Sequence, residues 1–161
     1  MPSSSSTATA EVANSGWFRP PLIYLLAILS GIALAIVRPL PLLPGRLGGL
    51  PGGVCVVAAL ALFGYAVKNF RASGTPVPGD LPTTAIVRSG PYRFTRNPIY
   101  LAFSLLQLGI AMWLNSLWLI ATLAAAIAVI AGVVVPREER YLEEKFGSDY
   151  LQYTASVRRW L

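Results

Sequence analysis

Between residues 117 and 135 the chain runs for nineteen residues with no charge and no proline. A helix needs about 17–25 mostly apolar residues to cross the hydrocarbon core of a bilayer, so this run alone meets the length requirement. Three further apolar stretches share its character. Residues 22–37 are entered through Arg19-Pro20-Pro21 and closed by Arg38-Pro39, residues 50–67 are closed by Lys68, and a third stretch covers 99–114. The first gains length from Trp17 and Phe18, and Tyr100 and Trp113 near the ends of the third are likewise residue types that favour the interface. One such segment could be a buried helix of a soluble domain. Four of them fit poorly in a chain that is 55% hydrophobic and only 12% charged, because too few charges remain to coat a water-exposed surface. The sequence predicts an all-α membrane protein with about four transmembrane helices, near 20–37, 50–67, 98–114 and 117–135.

The charges that do exist are unevenly placed. With four spans, the N-terminal tail, the 68–98 connection and the segment after 135 share one side. That side carries Arg19, Lys68, Arg71, Arg88, Arg93, Arg96, Arg137, Arg140, Lys145, Arg158 and Arg159, against Arg38 and Arg46 on the other. The bias of basic residues towards the cytoplasm then predicts a multi-pass protein with both termini cytoplasmic. Residues 1–16 are rich in Ser, Thr and Ala, lack a basic start, and read as a disordered tail rather than a signal peptide. Trp17 and Phe18 read as an interfacial anchor, and 17–161 as one domain.

Several chemistries are excluded by residue type. There is no histidine and one cysteine, Cys55, so neither a Cys/His zinc site nor a Ser-His or Cys-His pair can be built. No metal and no nucleic-acid partner is expected. Residues 38–53 are dense in Pro and Gly and read as a re-entrant or surface loop; the Gly48/Gly52 and Gly49/Gly53 pairs match a helix-packing spacing but fall mostly within it. Residues 68–98 form a long polar connection, the kind of segment on which function concentrates.

Three groupings could carry chemistry. At the mouth of the third span lie Tyr92, Arg93, Arg96, Asn97, Pro98, Ile99 and Tyr100; taken singly, each also suits an ordinary membrane interface. Glu138 and Glu139 follow Pro136-Arg137, where the sequence predicts a new amphipathic helix with acids in its first turn and Gly147 as its cap. The Asn115-Ser116 turn folds spans three and four into an antiparallel hairpin, so Glu138 is expected near Arg96, Asn97 and Tyr100. Tyr100, Ser104 and Gln107 share one face of span three. They read either as interhelical hydrogen bonds or as a polar wall of a substrate channel. The segment 149–160, with Arg158 and Arg159, suits a headgroup layer.

Taken in order, Val87-Arg88-Ser89-Gly90-Pro91-Tyr92, Arg96-Asn97-Pro98-Ile99-Tyr100, Glu138-Glu139 and Phe146-Gly147-Ser148-Asp149-Tyr150-Leu151-Gln152-Tyr153 resemble the isoprenylcysteine carboxyl methyltransferase family and its phospholipid methyltransferase relatives. The likeness covers roughly 70–160. It implies an integral-membrane enzyme that uses S-adenosylmethionine outside a dinucleotide-binding fold. Carried over by position, the cofactor would touch Thr84, Ala85, Ile86, Val87, Tyr92, Asn97, Pro98, Ile99, Tyr100 and Glu138. Two departures stand out: Asn97 replaces the family's usual histidine, which removes an acid or base, and Val134 stands where prenylcysteine enzymes resemble one another in an arginine.

The expected reaction is methyl transfer to a lipophilic small molecule or lipid, either a prenylcysteine-like carboxylate or a headgroup, with Arg96 or Arg93 orienting an anionic acceptor and Glu139 available to an amine. Two alternatives stay open: a non-enzymatic protein binding anionic lipid through its basic loop, and a membrane reductase of related architecture.

Overall fold

The computed structural model describes residues 19–45, 47–75 and 83–161. The tail at 1–16, the Trp17/Phe18 anchor, Arg46 and part of the polar connection lie outside the described residues. Helix α1 is Pro20–Val37, α2 Gly49–Ala72, α3 Pro98–Trp113, α4 Leu117–Val129, α5 Val135–Phe146 and α6 Ser148–Ser156. The protein is an all-α membrane protein, and no strand occurs among the described residues. α1, α2 and the joined run Leu117–Phe146 are each long and apolar enough to cross a membrane, while α3 is apolar but shorter.

α3 is central, packed against α2 on one side and against α1 and α4 on the other, and α1 also packs along α4. In a bilayer no water drives helices together, so close backbone approach is what holds them. α2 and α3 achieve it at Gly52 and Gly109. A Cβ built on Gly109 would lie 2.8 Å from the Gly52 carbonyl oxygen, and one on Gly52 would lie 2.9 Å from that of Gly109. α2 begins at Gly49, so the connection is confined to residues 38–48. Gly52 therefore belongs to a helix crossing, and of the two i, i+4 glycine pairs Gly48/Gly52 is a packing device against Met112 and Gly109, whereas Gly49 meets nothing within 4 Å. The opposite boundary shifts too: α2 runs to Ala72, so Lys68–Ala72 are helical and the polar connection starts later than the charges imply.

The second difference lies at Pro136. The sequence predicts a fresh helix there, yet α4 passes into α5 through one widened turn, Ile130–Val134, where the Val135 amide bonds back to the Ile130 carbonyl five residues earlier. Proline has no N–H to give and would crowd the carbonyl four residues before it, here Gly132. The widened turn accommodates this and lets the helix continue.

Candidate active site

The site is built at the end of the bundle where α3 starts and α5 emerges. Pro98 opens α3 with its ring at a position where no amide partner is needed. Just before it, residues 90–93 make one tight 3-10 turn. Gly90 starts that turn at φ +59, and a side chain there would collide with Asn69 of α2. Asn69 in turn accepts a hydrogen bond from the Ser89 hydroxyl (2.9 Å). This turn drives Tyr92 inward against Phe70, ring edge to ring face at 5.0 Å, in a small core with Ala66 and Val87.

The hairpin delivers the expected meeting of α3 and α5. Tyr100 donates its hydroxyl to the Glu138 carboxylate at 2.5 Å. Glu139, one residue on and about 100° around the helix, instead meets Arg96 at 3.0 Å. Arg159 grips the same carboxylate with two bonds, Nε to Oε1 at 3.0 Å and Nη2 to Oε2 at 2.5 Å. Arg96 also lies against the Tyr150 hydroxyl, and its Nε is buried without a partner.

Three tyrosines wall this centre. Tyr153 donates to the Tyr92 carbonyl at 2.8 Å. Tyr92 is 5% exposed, yet its own hydroxyl has no partner. Burial pushes the Tyr92 phenol far above its ordinary range, and the nearby Tyr153 and the Glu138 carboxylate add to the shift. Tyr150 and Tyr153 are raised by burial as well, with Arg96 acting in the opposite sense on both. All three therefore stand as neutral hydroxyls.

The remaining expected residues are placed as follows. Val87 is buried beside Tyr92, Ala85 and Ile86 are half-buried, and Thr84 is exposed and turned back on residues 74 and 75. Pro98 is buried and Ile99 packs on the Tyr92 core. Asn97 directs its amide to the Arg159 carbonyl at 2.9 Å. Arg93 is exposed and joins none of these bonds. Ser104 bonds the Tyr24 hydroxyl of α1 at 2.7 Å, and Gln107, fully buried, donates to the Leu119 carbonyl and to Thr122 of α4, both at 3.2 Å. Ser104 and Gln107 thus both make hydrogen bonds between helices.

Sequence reasoning missed Tyr24, Tyr150, Arg159 and Trp160 as parts of this centre. Tyr24 sits in an apolar span with no local sign of its partner. Trp160 packs against the core of Tyr24, Tyr100, Ile130 and Val134. The tyrosine repeat at 150 and 153 and the arginine pair at 158 and 159 were visible signals, and they fit a headgroup layer equally well.

A family model described as phospholipid methyltransferase matches residues 50–149, from the start of α2 to the first turn of α6. The chain belongs to the phospholipid methyltransferase family. An uncharacterized protein of Haemophilus influenzae is 46% identical over 65 residues, 39% of this chain and 100% of that protein. No solved structure matches the chain. The matched span of this phospholipid methyltransferase family member contains Tyr92, Arg96, Tyr100, Glu138 and Glu139, whereas α1 with Tyr24 and the 157–161 segment with Arg159 fall outside it.

Proposed function

We propose that the protein transfers a methyl group from S-adenosylmethionine to a lipophilic acceptor at the cytoplasmic face of the membrane. The observation that carries this reading is the Tyr100–Glu138 pair beside the buried, unpartnered Tyr92 hydroxyl. These groups suit the cofactor's polar parts: a carboxylate can accept from an ammonium or from ribose hydroxyls, and an unsatisfied phenol invites a partner. Tyr92 and Tyr100 offer aromatic faces to a sulfonium. Thr84, Ala85, Ile86, Val87 and the Asn97–Tyr100 corner complete the proposed cofactor wall.

When bound, the cofactor supplies a methyl group already activated on a cationic sulfur. The chain's task is then to orient and to exclude water, which explains how a site without histidine can work. On this reading Glu138 holds one end of the cofactor, and the neutral phenols of Tyr92, Tyr150 and Tyr153 keep its surroundings poor in water. On the same reading Arg96 orients an anionic acceptor such as a carboxylate, and Glu139, which bridges Arg96 and Arg159, acts as their counter-ion. The acceptor class is a prenylcysteine-like carboxylate or a lipid headgroup, and membrane lipids are the surrounding partners.

Calorimetric titration of the purified protein with S-adenosylmethionine and S-adenosylhomocysteine tests this reading. Glu138→Ala should weaken binding by about 30-fold or more while the helical signal and thermal transition persist, the effect of truncating one partner of a desolvated charged pair. Affinity unchanged in that variant removes Glu138 from the site. A second reading, a non-catalytic protein that binds anionic lipid, draws on Arg71, Arg93, Arg140 and Arg158, all exposed. Vesicle binding that collapses with added salt, with no cofactor uptake, would favour it.

A further inference from the structure

Residues 157–161 leave α6 and cross the start of α3 as an extended strap. The strap is held by its backbone and its side chains at once. The Arg158 carbonyl accepts from the Arg96 amide at 3.0 Å. The Arg159 carbonyl accepts from the Asn97 side chain at 2.9 Å and from the Thr95 hydroxyl at 3.3 Å. The Arg159 guanidinium forks onto Glu139 of α5, and Trp160 packs against the core that includes Tyr24 and Tyr100. One residue, Arg159, therefore touches α5 with its side chain and the entrance to α3 with its backbone.

The ion pair alone does not account for this arrangement. Arg96 already neutralises Glu139, and the Arg159 side chain is 44% exposed, so the second pair adds little to folding stability. A guanidinium fork does supply geometric definition, because two parallel bonds fix both the distance and the plane of the carboxylate. Glu138 is the next residue along α5, so whatever fixes Glu139 also fixes the point from which Glu138 reaches Tyr100.

We propose that Arg159 is a positioning residue of the site: it ties the Thr95–Asn97 corner to α5 and so sets the spacing of Tyr100 and Glu138. For its catalytic consequence this rests on the methyl-transfer reading. It also assigns a task to Asn97, whose amide donates to the strap, where a proton-transfer group is not required.

The experiment uses the full chain in lipid nanodiscs, with Arg159→Ala, Arg159→Lys, Glu139→Gln and the double variant Arg159→Ala/Glu139→Gln. Two readouts are taken: S-adenosylhomocysteine affinity, and hydrogen exchange of the amides at 95–101. Arg159→Ala should weaken affinity about tenfold and speed exchange at 95–101, and Arg159→Lys should restore only part, since an ammonium cannot fork. Adding Arg159→Ala to Glu139→Gln should change affinity less than about twofold, because both act through one contact. Wild-type affinity in Arg159→Ala, or losses that simply multiply in the double variant, overturns the proposal. If the wild-type protein takes up no S-adenosylhomocysteine, the methyl-transfer reading is what falls. Exchange then decides the strap alone: faster exchange at 95–101 in Arg159→Ala sustains the clamp, and unchanged exchange ends it.

Discussion

Gly109→Ala is the sharpest test of how the bundle is held together. The added methyl would stand 2.8 Å from the Gly52 carbonyl oxygen, 3.0 Å from the Val56 amide nitrogen and 2.7 Å from a Val56 methyl. Ordinary contact at a Cβ starts near 3.4 Å, so α2 and α3 must part by about half an ångström along their crossing. Two of the three neighbours are backbone and cannot rotate away. Overpacking of this kind costs about 1–3 kcal/mol, and in a bilayer the packing it disrupts is the main force joining the helices. The same substitution at Gly64 meets nothing within 4 Å. Gly64→Ala should be neutral or stabilising by up to about 1 kcal/mol through helix propensity. Reversible unfolding in mixed micelles, titrated with a denaturing detergent, gives both values on one scale. Because α2 also presents Phe70 to Tyr92, the methyl-transfer proposal further expects the Gly109 variant to lose S-adenosylhomocysteine affinity. If Gly109→Ala and Gly64→Ala unfold alike, the crossing at Gly52 and Gly109 does not hold the bundle as argued.

Two further outcomes are expected. Asn115 takes φ +47 in the α3–α4 turn and bonds the Leu42 and Leu43 amides at 3.1 and 2.7 Å and the Leu43 carbonyl at 2.9 Å, so it pins the 38–48 connection. Asn115→Ala should cost about 2–3 kcal/mol from lost bonds and a strained backbone, while Asn115→Gly, free of the strain, should cost less; equal losses in the same unfolding assay would contradict this division. Alkaline pH provides the other test. Burial raises Tyr92, Tyr150 and Tyr153, so the folded state keeps protons that the unfolded state releases above about pH 10. Stability contributed by these phenols is thus fully present below pH 10 and falls as pH rises beyond it. Tyr92→Phe should flatten that fall in a pH series of melting curves and at neutral pH should leave stability unchanged or higher; the methyl-transfer proposal further expects it to lower S-adenosylhomocysteine affinity.

Much of the fold was legible because charges and prolines punctuate the apolar runs. Arg19-Pro20 and Arg38-Pro39 bracket α1, and Asn115-Ser116 leaves room only for a tight hairpin. From that hairpin the Tyr100–Glu138 meeting follows with no knowledge of α1 or α2. The unread parts have physical reasons. Tyr24 lies among leucines and alanines, and its bond to Ser104 depends on a crossing of α1 and α3 that no local pattern encodes. The strap's bonds are made largely by backbone carbonyls, which every residue possesses, so the sequence around Arg159 carries no mark of them.

The continuity of α4 into α5 was hidden for a different reason, and it bears on the site itself. Pro136 reads as a helix start because proline is at home in a first turn, and here the same residue is tolerated inside a longer run by one turn with a five-residue bond. A widened turn acts like a single-residue insertion, which rotates everything after it by about 100° relative to an unbroken helix. That rotation matters because Glu138 and Glu139 are neighbours and must diverge. With the turn in place, Glu138 meets Tyr100 and Glu139 meets Arg96 and Arg159, while Arg137 and Arg140 face outward. Without it, the arc holding the two acids would turn away from α3 by roughly one residue's angle, and the two carboxylates could not both keep these partners. The apolar stretch Ile130–Val134, which contains no reactive group, therefore determines where the acids of the site point.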